Sequence, residues 1–213
     1  MSTSQDQVSG PGLSSFALPI MEHFYTLQGE GAYSGSAAYF IRTAGCDVGC
    51  VWCDVKESWD AEKHPIIPVK DLALRAADSG AKIAVITGGE PAMYPLDGLC
   101  DALREQGLRT HIETSGAYAL SGSWHWICFS PKKFKKPNPG IYSQAHELKV
   151  VVYNRHDFKW AEEHAAQVKP HCKLYLQPEW SRAEEMMPSI VEYIKANPRW
   201  NISLQTHKFM NIP

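Results

Sequence analysis

Short apolar runs rich in β-branched residues alternate with stretches of helical period along this chain, and that alternation confines it to α/β folds built on a largely parallel sheet. The runs are "AYFIRT" (Ala38 to Thr43), "KIAVIT" (Lys82 to Thr87), "RTHIET" (Arg109 to Thr114), "HWICFS" (His125 to Ser130), "ELKVVV" (Glu147 to Val152) and "KLYLQ" (Lys173 to Gln177), with "NISLQ" (Asn201 to Gln205) as a last strand. Between them, Val69, Leu72, Ala73 and Ala76 fall at i, i+3, i+4, i+7, and Leu96, Leu99, Cys100 and Leu103 repeat that spacing, so each segment lays one apolar stripe on the sheet. Gly80 and Gly107 are the natural stops of these two helices. A third helix runs from His156 to about Val168. A fourth carries Met187, Ile190, Val191 and Ile194 behind a capping box at Ser181 and Glu184, and Pro188 implies either a kink or a start near that residue.

"SGAYALSGSW" and the Pro-rich "PKKFKKPNPGIYSQAH" show no helical pattern. About six strands with three to four helices are too few for a closed eightfold barrel, which usually takes ~250 residues, so the pattern predicts a partial, open βα barrel. With 213 residues and 44% hydrophobic content, the chain reads as a single domain over residues 21–213, after a polar extension of residues 1–20. In such folds the chemistry gathers where strands end and loops begin.

Lys and Arg total 21 against 23 Asp and Glu, which gives no broad electrostatic reason to bind nucleic acid or an anionic membrane and favours a small polar ligand. "MSTSQDQVSGPGLSS" lacks the basic start and apolar core of a signal peptide, and no stretch is apolar for long enough to span a bilayer, so a cytoplasmic protein is expected. Six cysteines in that reducing setting point to metal or redox chemistry rather than disulfides.

Three of them, Cys46, Cys50 and Cys53, follow the first strand run as C-x3-C-x2-C in "GCDVGCVWCD". Zinc would need a fourth ligand, and His64 is available for a Cys3His set. Three buried thiols without metal fit less well beside Asp47, Gly49 and Asp54. A [4Fe-4S] cluster explains the missing fourth cysteine differently, because three thiolates leave one iron open to an outside ligand. Cys100 on a helix stripe, Cys128 in a strand and Cys172 before one read as small buried residues.

The cysteine spacing after a first strand, with Trp52 before the last thiol, resembles the signature of the radical S-adenosylmethionine (SAM) superfamily. That resemblance implies SAM chelated to the open iron and cleaved to a 5′-deoxyadenosyl radical by a cluster electron, with a reducing electron donor as partner. "ITGGEP", Ile86 to Pro91, is similar to the superfamily's GGEP loop, which receives the SAM amino group. Gly88 and Gly89 allow a ligand close to the backbone, and Glu90 offers an acceptor to an ammonium group.

"FYTLQGEGAYSGSAAYFIRTAGCDVGCVWCD", "SPK" at Ser130 to Lys132, "LQP" at Leu176 to Pro178 and the final "SLQTHKFMNIP" are similar to the 7-carboxy-7-deazaguanine synthases, from Glu22 to Pro213. The resemblance implies conversion of 6-carboxy-5,6,7,8-tetrahydropterin to 7-carboxy-7-deazaguanine with loss of ammonia, in the biosynthesis of queuosine and related deazapurines, by a homodimer. It places Leu27, Gln28, Gly29, Thr87 and Pro213 on the pterin and Arg42 on its carboxylate, where a planar fork suits two oxygens. It places Trp52, Cys53, Asp54, Gly89, Ser130, Pro131, Lys132, Gln177 and Pro178 around SAM. Glu113, His111 and His207 stand near strand ends without an assigned role. One position departs. The family commonly has a Thr that binds Mg²⁺ where this chain has Val55, which offers no oxygen to a hard cation, so a weak or altered Mg²⁺ requirement is expected. A glycyl-radical activase of the same superfamily and a zinc-stabilised binding module are the alternatives.

Overall fold

The computed structural model describes residues 16–213. The signal-peptide argument on residues 1–15, and that part of the predicted extension, lie outside the described residues. The strands are β1 (Ala17–Leu27), β2 (Ala37–Thr43), β3 (Ile66–Pro68), β4 (Ile83–Gly88), β5 (Arg109–Thr114), β6 (Trp126–Phe129), β7 (Glu147–Val152), β8 (Lys173–Pro178) and β9 (Trp200–Ile202). The helices are α1 (Val69–Asp78), α2 (Asp97–Glu105), α3 (Ile141–Gln144), α4 (His156–Ala165), α5 (Ala183–Ala196) and α6 (Thr206–Met210).

All nine strands form one sheet in the order β3-β1-β2-β4-β5-β6-β7-β8-β9. From β2 through β9 every neighbour is parallel, whereas β1 runs antiparallel to both β2 and β3. The end strands β3 and β9 do not pair, so the predicted open barrel is what forms, with nine strands and six helices instead of about six and three to four.

The additional strands escape a periodicity reading for physical reasons. β3 has three residues and ends in Pro68, too short and too Pro-rich to register as a strand. β1 carries Pro19 and shifts register between Ile20 and Glu22, which interrupts its alternation. It begins at Ala17, and Leu18 and Ile20 are both 1% exposed, so the folded domain starts ahead of the predicted boundary at residue 21.

Alternation along each strand separates two environments. Ile41, Ile86, Ile112, Leu148, Val150 and Leu176 face the helix layer, where Leu72, Ala76, Leu99 and Leu103 of α1 and α2 meet them in a single core. Burying each such leucine or isoleucine is worth about 1.5–3 kcal/mol. Intervening residues, among them Phe40, Arg42, Thr87, Glu113, Lys149 and Gln177, line the concave side. Gly80 and Gly107 end α1 and α2 at φ of 79° and 75°.

α5 is continuous through Pro188; of the predicted stripe Ile190 is buried and Ile194 packs against the core, while Met186 turns inward in place of Met187 and Val191 is left 41% exposed. No Ser181–Glu184 box forms. Glu179 instead accepts from the Ser181 amide at 3.2 Å and caps the short turn that leads into the helix. α3 supplies one helical turn in an interval predicted to have none. No helix among the described residues is long and apolar enough to cross a membrane.

Candidate active site

A cavity of about 360 Å³ opens on the concave side of the barrel, toward the ends of the parallel strands. Leu27, Gln28, Gly29, Arg42, Cys46, Cys50, Trp52, Cys53, Asp54, Val55, Thr87, Gly89, Ser130, Lys132, Gln177, Pro178 and Pro213 all line it. Of the predicted site residues only Pro131 does not, and it is buried behind its two neighbours.

The two glycine- and cysteine-bearing loops are joined through their backbones. Thr43 and Gly88 are partners in the parallel β2–β4 register, so both loops leave the sheet side by side. The Gly89 amide donates to the Thr43 carbonyl at 3.0 Å and the Glu90 amide to the Gly45 carbonyl at 2.9 Å. There is no room between them for a side chain. A methyl group on Gly88 would lie 2.2 Å from the Thr43 oxygen, and one on Gly89 2.2 Å from the Gly45 oxygen. Tyr94 fastens the same junction by donating its hydroxyl to Ala44 O at 2.8 Å.

Glu90 is 1% exposed, and its carboxylate is already engaged. Oε1 accepts from Ala92 N at 3.0 Å and Thr114 Oγ1 at 2.5 Å, while Oε2 accepts from Ser115 N at 2.8 Å and from the Ser115 hydroxyl. Glu90 thus braces β5 against the glycine loop, and the acceptor predicted for an ammonium group is occupied. Lys132 folds back onto Ser130, donating to its carbonyl at 2.7 Å and its hydroxyl at 2.6 Å, with its ammonium 5.8 Å from the Trp52 ring centroid. Gln177 is anchored by Ser203, whose hydroxyl donates to Gln177 Oε1 at 2.7 Å. Arg42 donates through Nε to Glu22 at 2.6 Å, its cross-strand partner, and its terminal nitrogens, beside Thr87 in register, have no partner among the described residues.

Sequence reading left several lining residues unassigned. Lys149 in β7 is buried and donates to Glu30 and Glu113 across the cavity. Phe24 stacks on Phe40 with centroids 5.6 Å apart. From α6, Thr206 N and Oγ1 both donate to Gly29 O at 2.9 Å, His207 packs where a Gly29 side chain would stand, and Lys208 reaches Asp54 Oδ2 at 3.1 Å. The available signal for this group was the polar residue at every second position of an otherwise apolar strand, as Lys149 is in "ELKVVV". His111, also without a role, is buried away from the cavity against Tyr33, and burial lowers its ring pKa to about 4. Cys100, Cys128 and Cys172 are buried outside the cavity as predicted.

The three loop thiols suit a cluster better than a single ion. No group of three or more His, Cys, Asp or Glu among the described residues converges to hold one metal. His64 is directed to the Glu57 carbonyl at 2.8 Å, which removes the zinc alternative. In a [4Fe-4S] cluster each thiolate meets a different iron and convergence on one point is not required. Burial raises the Cys46 thiol and carries Cys50 to about 11, so metal binding there displaces protons.

Open βα barrel, three-thiol loop and glycine loop together define a radical SAM protein, and a family model described as the radical SAM superfamily matches residues 40–120. The chain is 56% identical to the 7-carboxy-7-deazaguanine synthase of Flavobacterium psychrophilum, over 92% of this chain and 93% of the relative. It is 48% identical to that of Synechocystis sp., over 94% and 96%, and 34% to that of Escherichia coli, over 91% and 98%. The crystal structure of QueE from Escherichia coli superposes with a TM-score of 0.80 at 31% identity, over 88% of this chain and 93% of that one. The chain belongs to the family of 7-carboxy-7-deazaguanine synthases.

Proposed function

We propose that this chain converts 6-carboxy-5,6,7,8-tetrahydropterin to 7-carboxy-7-deazaguanine with loss of ammonia, feeding queuosine or related deazapurine biosynthesis. The observation that carries this reading is the backbone junction of the cysteine and glycine loops at one side of a cavity whose other walls are polar. The relatives bear the synthase name, which leaves the activase alternative without support.

Cys46, Cys50 and Cys53 would hold a [4Fe-4S] cluster, which with SAM bound would supply radical hydrogen-abstraction chemistry at the pterin. The protein's part is placement. Gly89 brings bare backbone to the SAM side of the cavity, and Trp52 and Asp54 flank it. Ser130 and Lys132, held together and backed by Pro131, offer a hydroxyl and an ammonium to the SAM carboxylate or ribose. Gln177 and Pro178 face the adenosine. On the substrate side, the terminal nitrogens of Arg42, without a partner among the described residues, meet the pterin carboxylate and Thr87 stands beside them. Leu27, Gln28, Gly29 and Pro213 form the wall against the ring, tied together by the bond from Thr26 Oγ1 to Pro213 O at 3.3 Å. We expect a cytoplasmic homodimer served by a reducing electron donor.

Mg²⁺ does not fit the position after the cluster. Val55 has an apolar side chain and its carbonyl accepts from Ser58 Oγ at 2.7 Å, while the Asp54 carboxylate is paired with Lys208. Turnover is therefore expected to change by less than about twofold between chelator and excess Mg²⁺. A Mg²⁺ requirement as tight as that of a Thr-bearing relative, assayed side by side, overturns this.

The reading is tested by mixing the reduced, cluster-loaded protein with SAM and carboxytetrahydropterin and following the product by mass. Carboxydeazaguanine with SAM recovered intact supports it. Release of 5′-deoxyadenosine without that product leaves radical chemistry standing and removes the substrate.

A further inference from the structure

Lys149, in the barrel interior, carries an ammonium group that the placement above does not use. Lys149 is 5% exposed along its side chain and donates to Glu30 Oε2 at 2.5 Å and to Glu113 Oε2 at 2.8 Å. Amides take the other carboxylate oxygens. Gln205 Nε2 donates to Glu30 Oε1 at 2.9 Å, and Gln28 Nε2 to Glu113 Oε1 at 3.2 Å. All five residues line the cavity, yet they come from the loop around Gln28 and Glu30, from β5, from β7 and from the entry to α6. An ionised carboxylate oxygen accepts two hydrogen bonds, so this wall retains acceptor capacity facing the cavity.

We propose that Lys149 is a positioning residue for ligand selection: its two hydrogen bonds fix the Glu30 and Glu113 carboxylates side by side, so that the pair admits a ring edge bearing adjacent N–H donors and rejects one that sets a carbonyl against them. This rests on the synthase reading, under which that edge is formed by the N3–H and the 2-amino group of a pterin. A lumazine, with oxygen in place of the 2-amino group, would set a lone pair against a carboxylate. The electrostatics agree. Burial pushes the Glu30 carboxyl up, but the Lys149 charge and hydrogen bond, with Gln205 and His207, bring it down to about 2. Besides its two partners, Lys149 faces Cys128 and Glu147, which favour its charge, and lies near Lys132, which opposes it.

The test compares binding of 6-carboxypterin and 6-carboxylumazine to the cluster-loaded protein with SAM, from about pH 5.5 to about 7.5. The native chain should favour the pterin by at least about 100-fold, with no slope in pH. In Lys149→Met, burial of Glu30 is left unopposed, its carboxyl pKa rises, and protonation at the acid end removes an acceptor. Discrimination should fall below about tenfold, with pterin affinity climbing as pH rises, and Lys149→Arg should restore most of the ratio. Equal weakening of both ligands, with the ratio kept and no pH slope, would mean that Lys149 only supports the fold and would overturn the proposal. Should Lys149→Met lose its cluster, Lys149→Met with Glu113→Gln keeps the same net charge; loss of discrimination there supports the proposal, and native discrimination overturns it. A native chain that binds neither ring removes the synthase reading and this inference together, whereas a native chain that binds the pterin with a ratio unmoved in the variants removes the inference alone.

Discussion

Gly89→Ala is expected to cost more than about 3 kcal/mol of stability and to leave the protein unable to hold iron. The added methyl would meet Gly45 O at 2.2 Å, Gly45 C at 2.7 Å and Cys46 Cβ at 2.8 Å, all atoms that cannot rotate aside. Relief requires the glycine loop to part from the cysteine loop, which breaks the Glu90 N to Gly45 O bond and displaces Cys46. Glu90 would be pulled from its four donors at the same time, leaving a buried carboxylate uncompensated. Denaturant unfolding, together with iron and sulfide per chain after anaerobic reconstitution, measures both effects. Gly98→Ala is the matched control, because Gly98 lies in α2 and the nearest atom to its added methyl is on Phe16, at an ordinary contact distance of 3.5 Å. Removing a helical glycine there should be neutral or stabilise by up to about 1 kcal/mol. A Gly89→Ala protein with native iron content and stability would mean that the two loops are not rigidly joined.

Cys50→Ala should abolish turnover and cluster absorbance while leaving the sheet intact. Cys50 lies in the loop after β2 and contributes to no strand pairing, so its loss removes a ligand and little packing. The same outcome is expected for Cys46→Ala and Cys53→Ala, since a cluster that must keep one iron open for SAM has no spare protein thiolate. His64→Ala should leave iron content unchanged, because its ring serves the Glu57 carbonyl. Iron and sulfide content, the visible spectrum, and circular dichroism separate cluster loss from unfolding. Iron retained in Cys50→Ala and lost in His64→Ala would reverse the ligand assignment.

Most of the sheet was readable because each strand keeps a β-branched or leucine side chain on its helix-covered face, which marks it as a short apolar run even where the concave face is polar. β5 and β7 fall on the predicted residues, β2 and β8 differ by one residue at one end, and β4 and β6 by one residue at each end. Where pattern and structure part, tertiary forces decide. β9 begins at Trp200, buried to 1%, rather than at Asn201, because that indole anchors the strand. α5 turns Met186 inward in place of Met187, and Glu179 rather than Ser181 caps its approach. The cysteine and glycine motifs were legible as spacings, but their contact was not, since it depends on the Thr43–Gly88 register and on backbone conformations such as φ of 144° at Gly88. The Lys149 network was hidden for a related reason: its ion pairs join residues 119 and 36 positions apart, which no local pattern records.

Strand order in the sheet follows chain order from β4 to β9, so a nascent chain can add each of these strands to an edge that already exists. The cysteine and glycine loops, with the Glu90 brace, lie within the first 115 residues and can assemble while the rest is still being synthesised. Closure of the cavity cannot proceed in this way. Thr206 must return to Gly29 across 177 positions, and Lys208 to Asp54 across 154. Synthesis therefore passes through a stage in which the thiols are in place and the pocket lacks a wall, an interval when delivered iron and sulfide can reach the loop before the α6 segment covers it.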